Sequence, residues 1–227
     1  MLNRDRIISA FADQFDQRLL QQFARALYPP VTIFATLALA QSLLRPEHSL
    51  IADPISALAA GPHGWVQNVN FLHFGCLMMA YAVGLHLGVS PMRRGIVGPA
   101  FLVLSGFGLI WAGLFPATST SGAFQDRALH TLGFIMTFFG ASLGLILMSR
   151  RMARDPRWQS LASYALATGI ATLLLLLSGA RFVRPPGALL HLWRGLFQWV
   201  LLAVWLSCTV ILAFRLLRGA RAADAPC

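Results

Sequence analysis

Apolar residues in this chain fall into six runs separated by short polar stretches: Leu27 to Leu44, Val66 to Val89, Ile96 to Phe115, Ala128 to Met148, Leu161 to Ser178 and Leu196 to Phe214. Each is close to the roughly 20 residues that a helix needs to cross the hydrocarbon of a bilayer. None carries an Asp, Glu or Arg in its middle. The pattern predicts an all-α polytopic membrane protein, a bundle of six transmembrane helices. A different period precedes the first run. Ile7, Phe11, Phe15, Leu19 and Phe23 recur every four residues, with Arg4, Asp13, Asp16, Arg18 and Gln21 between them, which is the spacing of an amphipathic helix. Such a helix lies on the membrane surface until Pro29 and Pro30 turn the chain into the first span. The expected organisation is therefore an interfacial helix over 1–26, a six-span bundle over 27–214 and a tail over 215–227. Residues 1–26 lack a continuous apolar core, so no cleavable signal peptide is expected.

Composition agrees with this pattern. Mean hydropathy is +0.65, and charged residues make up 11% of the chain, far below the roughly 25% of a soluble domain. The net charge of +10 would suggest a nucleic-acid partner in a soluble protein, but the positions of the charges give it another meaning. Every basic side chain is Arg, and thirteen of the eighteen lie on one side of the six-span arrangement. They are Arg4, Arg6, Arg18 and Arg25 before the first span, and Arg93 and Arg94 after the second. Arg150, Arg151, Arg154 and Arg157 follow the fourth, and Arg215, Arg218 and Arg221 the sixth. The positive-inside rule makes that side the cytoplasm, so both termini are expected inside an inner (plasma) membrane, and the connections 45–65, 116–127 and 179–195 face outward. No basic surface interleaved with aromatics remains for reading nucleic acid, and membrane lipids become the expected surroundings.

The absence of Lys excludes a retinal Schiff base or a pyridoxal phosphate linkage. Cys76, Cys208 and Cys227 are odd in number, and two lie within spans, so no disulfide framework is indicated. The pair Gly140 and Gly144, together with Gly133, Gly106 and Gly113, marks faces where helices should approach closely. Trp65, Trp111, Trp193 and Trp199 fall near the outer interface and Trp158 near the inner one, as in an aromatic belt.

The remaining polar residues gather at the outer end. Glu47, His48, Asp53, Ser56 and His63 lie in the first outer connection; Gln67, Asn68, Asn70 and His73 head the second span; Asp126 and Arg127 precede His130 at the head of the fourth. Arg181, Arg184, His191 and Arg194 lie in the third outer connection, and Gln198 opens the sixth span. Polar side chains at membrane depth are costly unless they pair or line a wet cavity. Asn70, His73, His130 and Gln198 are therefore candidates for function, with Asp53, Ser56, Gln67, Asp126 and Arg194 as companions.

Several separated segments also resemble one known family. They include the run from Ile51 to Gln67 (IADPISALAAGPHGWVQ), then Asn70, Phe71 and Gly75. Gly106 to Leu109, Phe115-Pro116, His130, Tyr164 to Gly169 and Gly195 to Gln198 follow in order. They are similar to the bacterial six-helix membrane family called domain of unknown function 998, over most of the chain from about Leu27 onward. The resemblance implies a six-helix membrane fold and brings no activity with it. Members often carry an aspartate soon after the Phe-Pro that ends the third span, and a basic residue after the Gln that opens the sixth. This chain has Ala117-Thr118-Ser119 and Trp199 there, so an acid–base pair inferred at those positions does not transfer.

Four readings of the outer cluster follow. In the first, the bundle holds a lipid or isoprenoid, its head group among Asp53, Asn70, His73, His130 and Arg194, with His130 or His73 as general acid or base, oriented by Asp53 or Asp126, in an enzymatic version. In the second, the polar residues tie the loops to the bundle of an accessory or scaffold subunit, whose partner contacts residues 1–26. The third is a transporter or channel, against which stand the lack of acids in the span interiors and an inner half with little beyond His86. The fourth is a haem or metal site at His73 and His130, which no HExxH, CxxC or HxH spacing supports; the sequence names no cofactor and no metal ligand set. His73 and His86 are 13 residues apart, which places them on different helix faces.

Overall fold

The computed structural model describes residues 32–90, 95–116, 124–183 and 185–222. The expected amphipathic helix over 1–26 lies outside them, as do the start of the first span, Arg184 and Cys227. Among the described residues the chain is all-helical: α1 (Thr32–Leu44), α2 (Gly64–Gly88), α3 (Val97–Leu114), α4 (Phe124–Met152), α5 (Gln159–Phe182) and α6 (Arg194–Ala222). Short 3-10 turns occupy Ile55–Ala59 and His191–Trp193 in two of the connections. Helices α2 to α6 are each long and apolar enough to cross a membrane, whereas the described part of α1 is shorter. This is a polytopic helical membrane protein.

The helices extend beyond the apolar runs by up to about two turns, because backbone hydrogen bonding continues where side chains turn polar. α3 is the exception. Phe115 precedes Pro116, whose ring disfavours the helical conformation one residue earlier, and Phe115 has left it (φ −119°, ψ 73°).

Close packing follows chain order, α2 on α3, α3 on α4 and α4 on α5, with α6 meeting α5 and α2. Two glycine pairs set the closest approaches. A Cβ on Gly75 would sit 2.6 Å from the Gly106 carbonyl oxygen, and one on Gly106 2.7 Å from that of Gly75. A Cβ on Gly108 would meet the Thr137 nitrogen at 2.5 Å and the Gly133 oxygen at 2.7 Å. Backbone therefore packs directly on backbone along α3, the association that small residues permit in lipid. Gly113, Gly140 and Gly144 make similar contacts, as their spacing predicted. At the centre, Phe34 stacks on Phe74 (4.5 Å between centroids), Phe74 leans on Trp205 (5.9 Å), and Phe138 meets Trp205 edge-on (5.6 Å). Four helices are joined by these rings. Exposed Leu166, Ile170, Leu174 and Leu177 give α5 an apolar outer face suited to lipid.

Intrahelical bonds satisfy most buried hydroxyls. Ser42, Thr137, Ser142, Thr172 and Thr209 each donate to the carbonyl four residues earlier.

The bundle has two unlike faces. One gathers the end of α2, the α4–α5 connection and α6, and carries much of the arginine. Here Arg151, only 5% exposed, donates to the carbonyls of His86 (2.6 Å) and Val89 and to His86 Nδ1 (3.1 Å). A guanidinium only donates, so His86 carries its proton on Nε2. Trp158 Nε1 donates to the Gly88 carbonyl at 3.0 Å. Asp155, 2% exposed, accepts from the Ser90 N–H (2.9 Å) and pairs with Arg157 (2.9 Å), and Arg215 of α6 closes the knot on the Arg157 carbonyl (2.6 Å). The end of α2 is thus capped by side chains from α4 and the loop after it.

Two predictions follow from this packing. Gly108→Val drives a branched side chain into the α4 backbone and should destabilise the chain by about 3 kcal/mol or abolish folded yield, read as a lower melting temperature or loss of the monodisperse peak in detergent. Burial alone would raise the Asp155 carboxyl, but hydrogen bonds from Arg157 and from the Ser90 and Arg157 N–H groups, with the Arg157 charge, hold it below its usual value. Its stabilisation is therefore complete above the ordinary carboxylate pKa of about 4 and lost as pH falls through the lowered value of the folded state. Asp155→Asn should lower stability at pH 7 by about 1–3 kcal/mol and remove that acid-limb dependence, as melting curves between pH 3 and 7 would show.

Candidate functional site

The opposite face gathers the 45–63 connection, the end of α3, the start of α4, the end of α5 and the start of α6. The first connection is bound down at both ends. Arg45 donates to the carbonyls of Ala60 (2.9 Å) and Pro62, and the Ile51 carbonyl accepts from the N–H groups of Gly195 (2.9 Å) and Leu196 (3.1 Å). These two N–H groups open α6 and have no partner within their own helix. A Cβ on Gly195 would lie 2.5 Å from the Asp53 carbonyl oxygen and 2.7 Å from that of Leu50, so glycine is what allows the loop to reach the helix end.

Asp53 and Arg194 meet on this seam. Arg194 Nε donates to the Ala52 carbonyl at 2.7 Å, and its Nη2 lies 3.6 Å from Asp53 Oδ1. Asp53 Oδ2 accepts from the Ser49 N–H at 2.9 Å. His191 lies 3.1 Å from the Val183 carbonyl through Nδ1 and 3.3 Å from Arg194 through Nε2. The carbonyl only accepts and the guanidinium only donates, so the tautomer that satisfies both carries its proton on Nδ1. Burial lowers the His48 pKa, with Arg45 adding to the shift and the charges of Asp53 and Glu47 opposing it.

Behind the seam lies a cavity of about 430 Å³, within the usual range for small-molecule sites. It sits between α4, α5 and α6, where α4 and α6 are not among the closely packed pairs. Asp53, Ser56, Arg127, His130, Thr131 and Gln198 line one part, with Arg194 at the mouth; Phe134, Leu176, Gly179, Val183 and Phe197 line the rest. A narrow extension of about 20 Å³ shares Ser56, His130, Phe134 and Gln198 and runs in toward Phe34, Phe71 and Phe138. The aromatic cluster of the core is its floor.

His130, 8% exposed, has Nδ1 3.0 Å from the Phe115 carbonyl. That carbonyl is exposed to a partner because Pro116 ends α3 there. Nδ1 is the donor, which in the neutral ring leaves the lone pair on Nε2. Gln198 is also 8% exposed, and its Oε1 has no hydrogen-bond partner among the described residues.

Asp53, Ser56, His130, Arg194 and Gln198 are thus brought together, and the other sequence candidates are not. Gln67 and Asn70 lie on the α1 side of α2: Gln41 Nε2 donates to Gln67 Oε1 at 2.9 Å, and Asn70 Nδ2 to the Phe34 carbonyl at 3.1 Å. They join α1 to α2. His73 is on an exposed face of α2 and does not line the cavity. Asp126 lies in the first turn of α4 with its side chain outside the described residues. Sequence reasoning passed over Thr131, Phe134 and the α5 wall. Leu176, Gly179 and Val183 do share one helix face by their three- and four-residue spacing, but nothing in the sequence says which neighbour that face meets. Among the described residues no group of three His, Cys, Asp or Glu side chains is placed to hold a metal ion.

The cavity-lining residues, the Gly195 approach and the glycine-packed α3 all fall within residues 30–215, which match one family as a single stretch. The chain belongs to the family described as "Protein of unknown function (DUF998)". No curated protein and no solved structure matches it. The DUF998 match covers all six helices apart from the last residues of α6.

Gly195→Ala should unseat the 45–63 connection of this DUF998 chain while leaving the helices formed. The expected outcome is a loss of about 1–3 kcal/mol with unchanged helical circular dichroism and faster protease cleavage between Arg45 and His63.

Proposed function

We propose that this chain is a multi-pass protein of a bacterial inner membrane, with both termini in the cytoplasm, and that its outward-facing cavity binds an amphiphile, lipid-like or isoprenoid. The bias of thirteen arginines in eighteen toward one side supports the orientation. The observation that carries the binding reading is the division of the cavity wall. Polar groups from the first connection, α4 and α6 face an apolar wall from Phe134, Leu176, Val183 and Phe197, which is what a head group with an attached chain requires. An enzymatic version would use Nε2 of His130 as general base, its ring fixed by the Phe115 carbonyl.

One observation favours a second reading, the accessory or scaffold subunit. Arg194 and Asp53 bond to loop backbone at Ala52 and Ser49, as residues that merely tie down the loop would. In that case residues 1–26 supply the partner surface.

Native mass spectrometry of the detergent-purified chain separates the two. Binding predicts a reproducible adduct of constant mass that falls to a minor fraction in His130→Ala and Asp53→Asn, with melting temperatures within a few degrees of the parent. Full adduct occupancy in both variants, or no adduct in the parent chain, would overturn it.

A further inference from the structure

The charged groups around the cavity are already committed to the chain itself. Arg194 donates from Nε to the Ala52 carbonyl and stands 3.6 Å from Asp53, while Asp53 accepts from the Ser49 N–H. Arg127 and His130 are engaged as well. An anionic ligand would have to displace these contacts, so charge is not what the site offers. Gln198 differs from all four. Its Oε1 has no hydrogen-bond partner among the described residues, the residue is 8% exposed, and it borders both the cavity and the narrow extension. Gln67 Nε2 and Asn70 Oδ1 are unpaired too, but they border neither space. At Gln198, therefore, a donor from outside the chain can reach a buried acceptor and remove the desolvation penalty of leaving it unpaired.

The size of the extension narrows the choice of donor. At about 20 Å³ it holds about one water-sized group, which suits a hydroxyl and is too small for a phosphate or an amide. Its walls are mostly apolar, Phe34, Ile55, Phe71, Phe138 and Leu202 among them. Such walls are poor in the roughly two to four polar partners that a trapped water takes, and they suit a hydroxyl joined to hydrocarbon. A hydroxyl accepts as well as donates, so while it donates to Gln198 Oε1 it can accept from Ser56, which lines both spaces. The hydrocarbon then lies in the larger space, along Leu176, Val183 and Phe197.

We infer that the ligand is a neutral long-chain alcohol, its hydroxyl on Gln198 at the narrow extension and its hydrocarbon along the α5 wall. This rests on the amphiphile reading above and specifies its polar group.

The test uses the full chain in nanodiscs of phosphatidylcholine, with probes titrated in and occupancy read by native mass spectrometry. Oleyl alcohol and geranylgeraniol carry the hydroxyl on an acyl-type and an isoprenoid chain. Their methyl ethers keep the oxygen and lose the donor, oleyl phosphate adds charge, and glycerol has hydroxyls without a chain. At least one alcohol should bind about tenfold more tightly than its own ether, and the tighter alcohol identifies the chain type. Oleyl phosphate should bind no more tightly than oleyl alcohol. In Gln198→Leu the preference for alcohol over ether should collapse. The melting temperature of the empty protein should hold or rise in that variant, because an unpaired buried polar group has been removed. Alcohols and ethers bound equally by the parent chain, as water alone at Gln198 would give, would overturn this inference and leave the amphiphile reading standing. The inference also falls if Gln198→Leu keeps the preference, or if oleyl phosphate binds more tightly than the alcohol. Glycerol bound as tightly as the long-chain alcohols would overturn the amphiphile reading and keep the hydroxyl site. Binding of no probe at all would overturn both.

Discussion

A helix satisfies its own backbone everywhere except its ends, and in a membrane bundle those ends must find partners on neighbouring segments. Both faces of this molecule are organised by that constraint. At the arginine-rich face, the last carbonyls of α2 are met by Arg151 and Trp158, donors from the end of α4 and the connection after it. At the other face, the first N–H groups of α6 are met by the single carbonyl of Ile51. Each solution pulls a loop onto a helix end. The second also fixes where Asp53 and Ser56 stand, since they follow Ile51 by two and five residues.

The cavity is a consequence of how these ties combine with the glycine contacts. Gly75, Gly106, Gly108 and Gly133 bring α2, α3 and α4 into backbone contact, so that side of the bundle has no room for a ligand. α6 is held instead through its start, by the loop, through Trp205 at its middle and through Arg215 toward its far end. Between the first two of these α4 and α6 leave a gap, which α5 lines with Leu176, Gly179 and Val183. Loosening the Ile51 contact would therefore alter the shape of the site without touching any residue that lines it.

Much of this was legible in the sequence, for identifiable reasons. Helix number and approximate bounds follow from hydropathy, because spanning length is a property of the bilayer and not of tertiary context. Asp53, Ser56, His130, Arg194 and Gln198 could be grouped because alternating connections of an up-and-down bundle share a face. Rotation of a helix about its axis was not legible. Gln67, Asn70 and His73 lie at the same end of the bundle as the others, yet α2 turns the first two toward α1 and leaves His73 on an exposed face. Charge counting likewise hid a structural role. Arg151 belongs to the basic excess that marks one side of the membrane, but its guanidinium is buried and caps α2. Composition cannot distinguish a charge that sets topology from one that closes a helix.

The two buried carboxamide sites show why position within a network decides what a polar residue signifies. Gln67 and Asn70 are fully or nearly buried and share partners with Gln41 and the Phe34 carbonyl; they join α1 to α2 and line neither the cavity nor its extension. Each still leaves one polar atom, Gln67 Nε2 and Asn70 Oδ1, without a partner among the described residues, as Gln198 does with Oε1; what sets Gln198 apart is that it borders an open volume. Leaving such a group unpaired costs about 1–3 kcal/mol, a sizeable fraction of a typical folding free energy. A leucine of similar size would have avoided that cost and completed an apolar wall with Phe197 and Phe134. An acceptor at the edge of an open volume stands where a donor from outside the chain can reach it, as Asn70 Oδ1, equally unpaired but away from the cavity, does not.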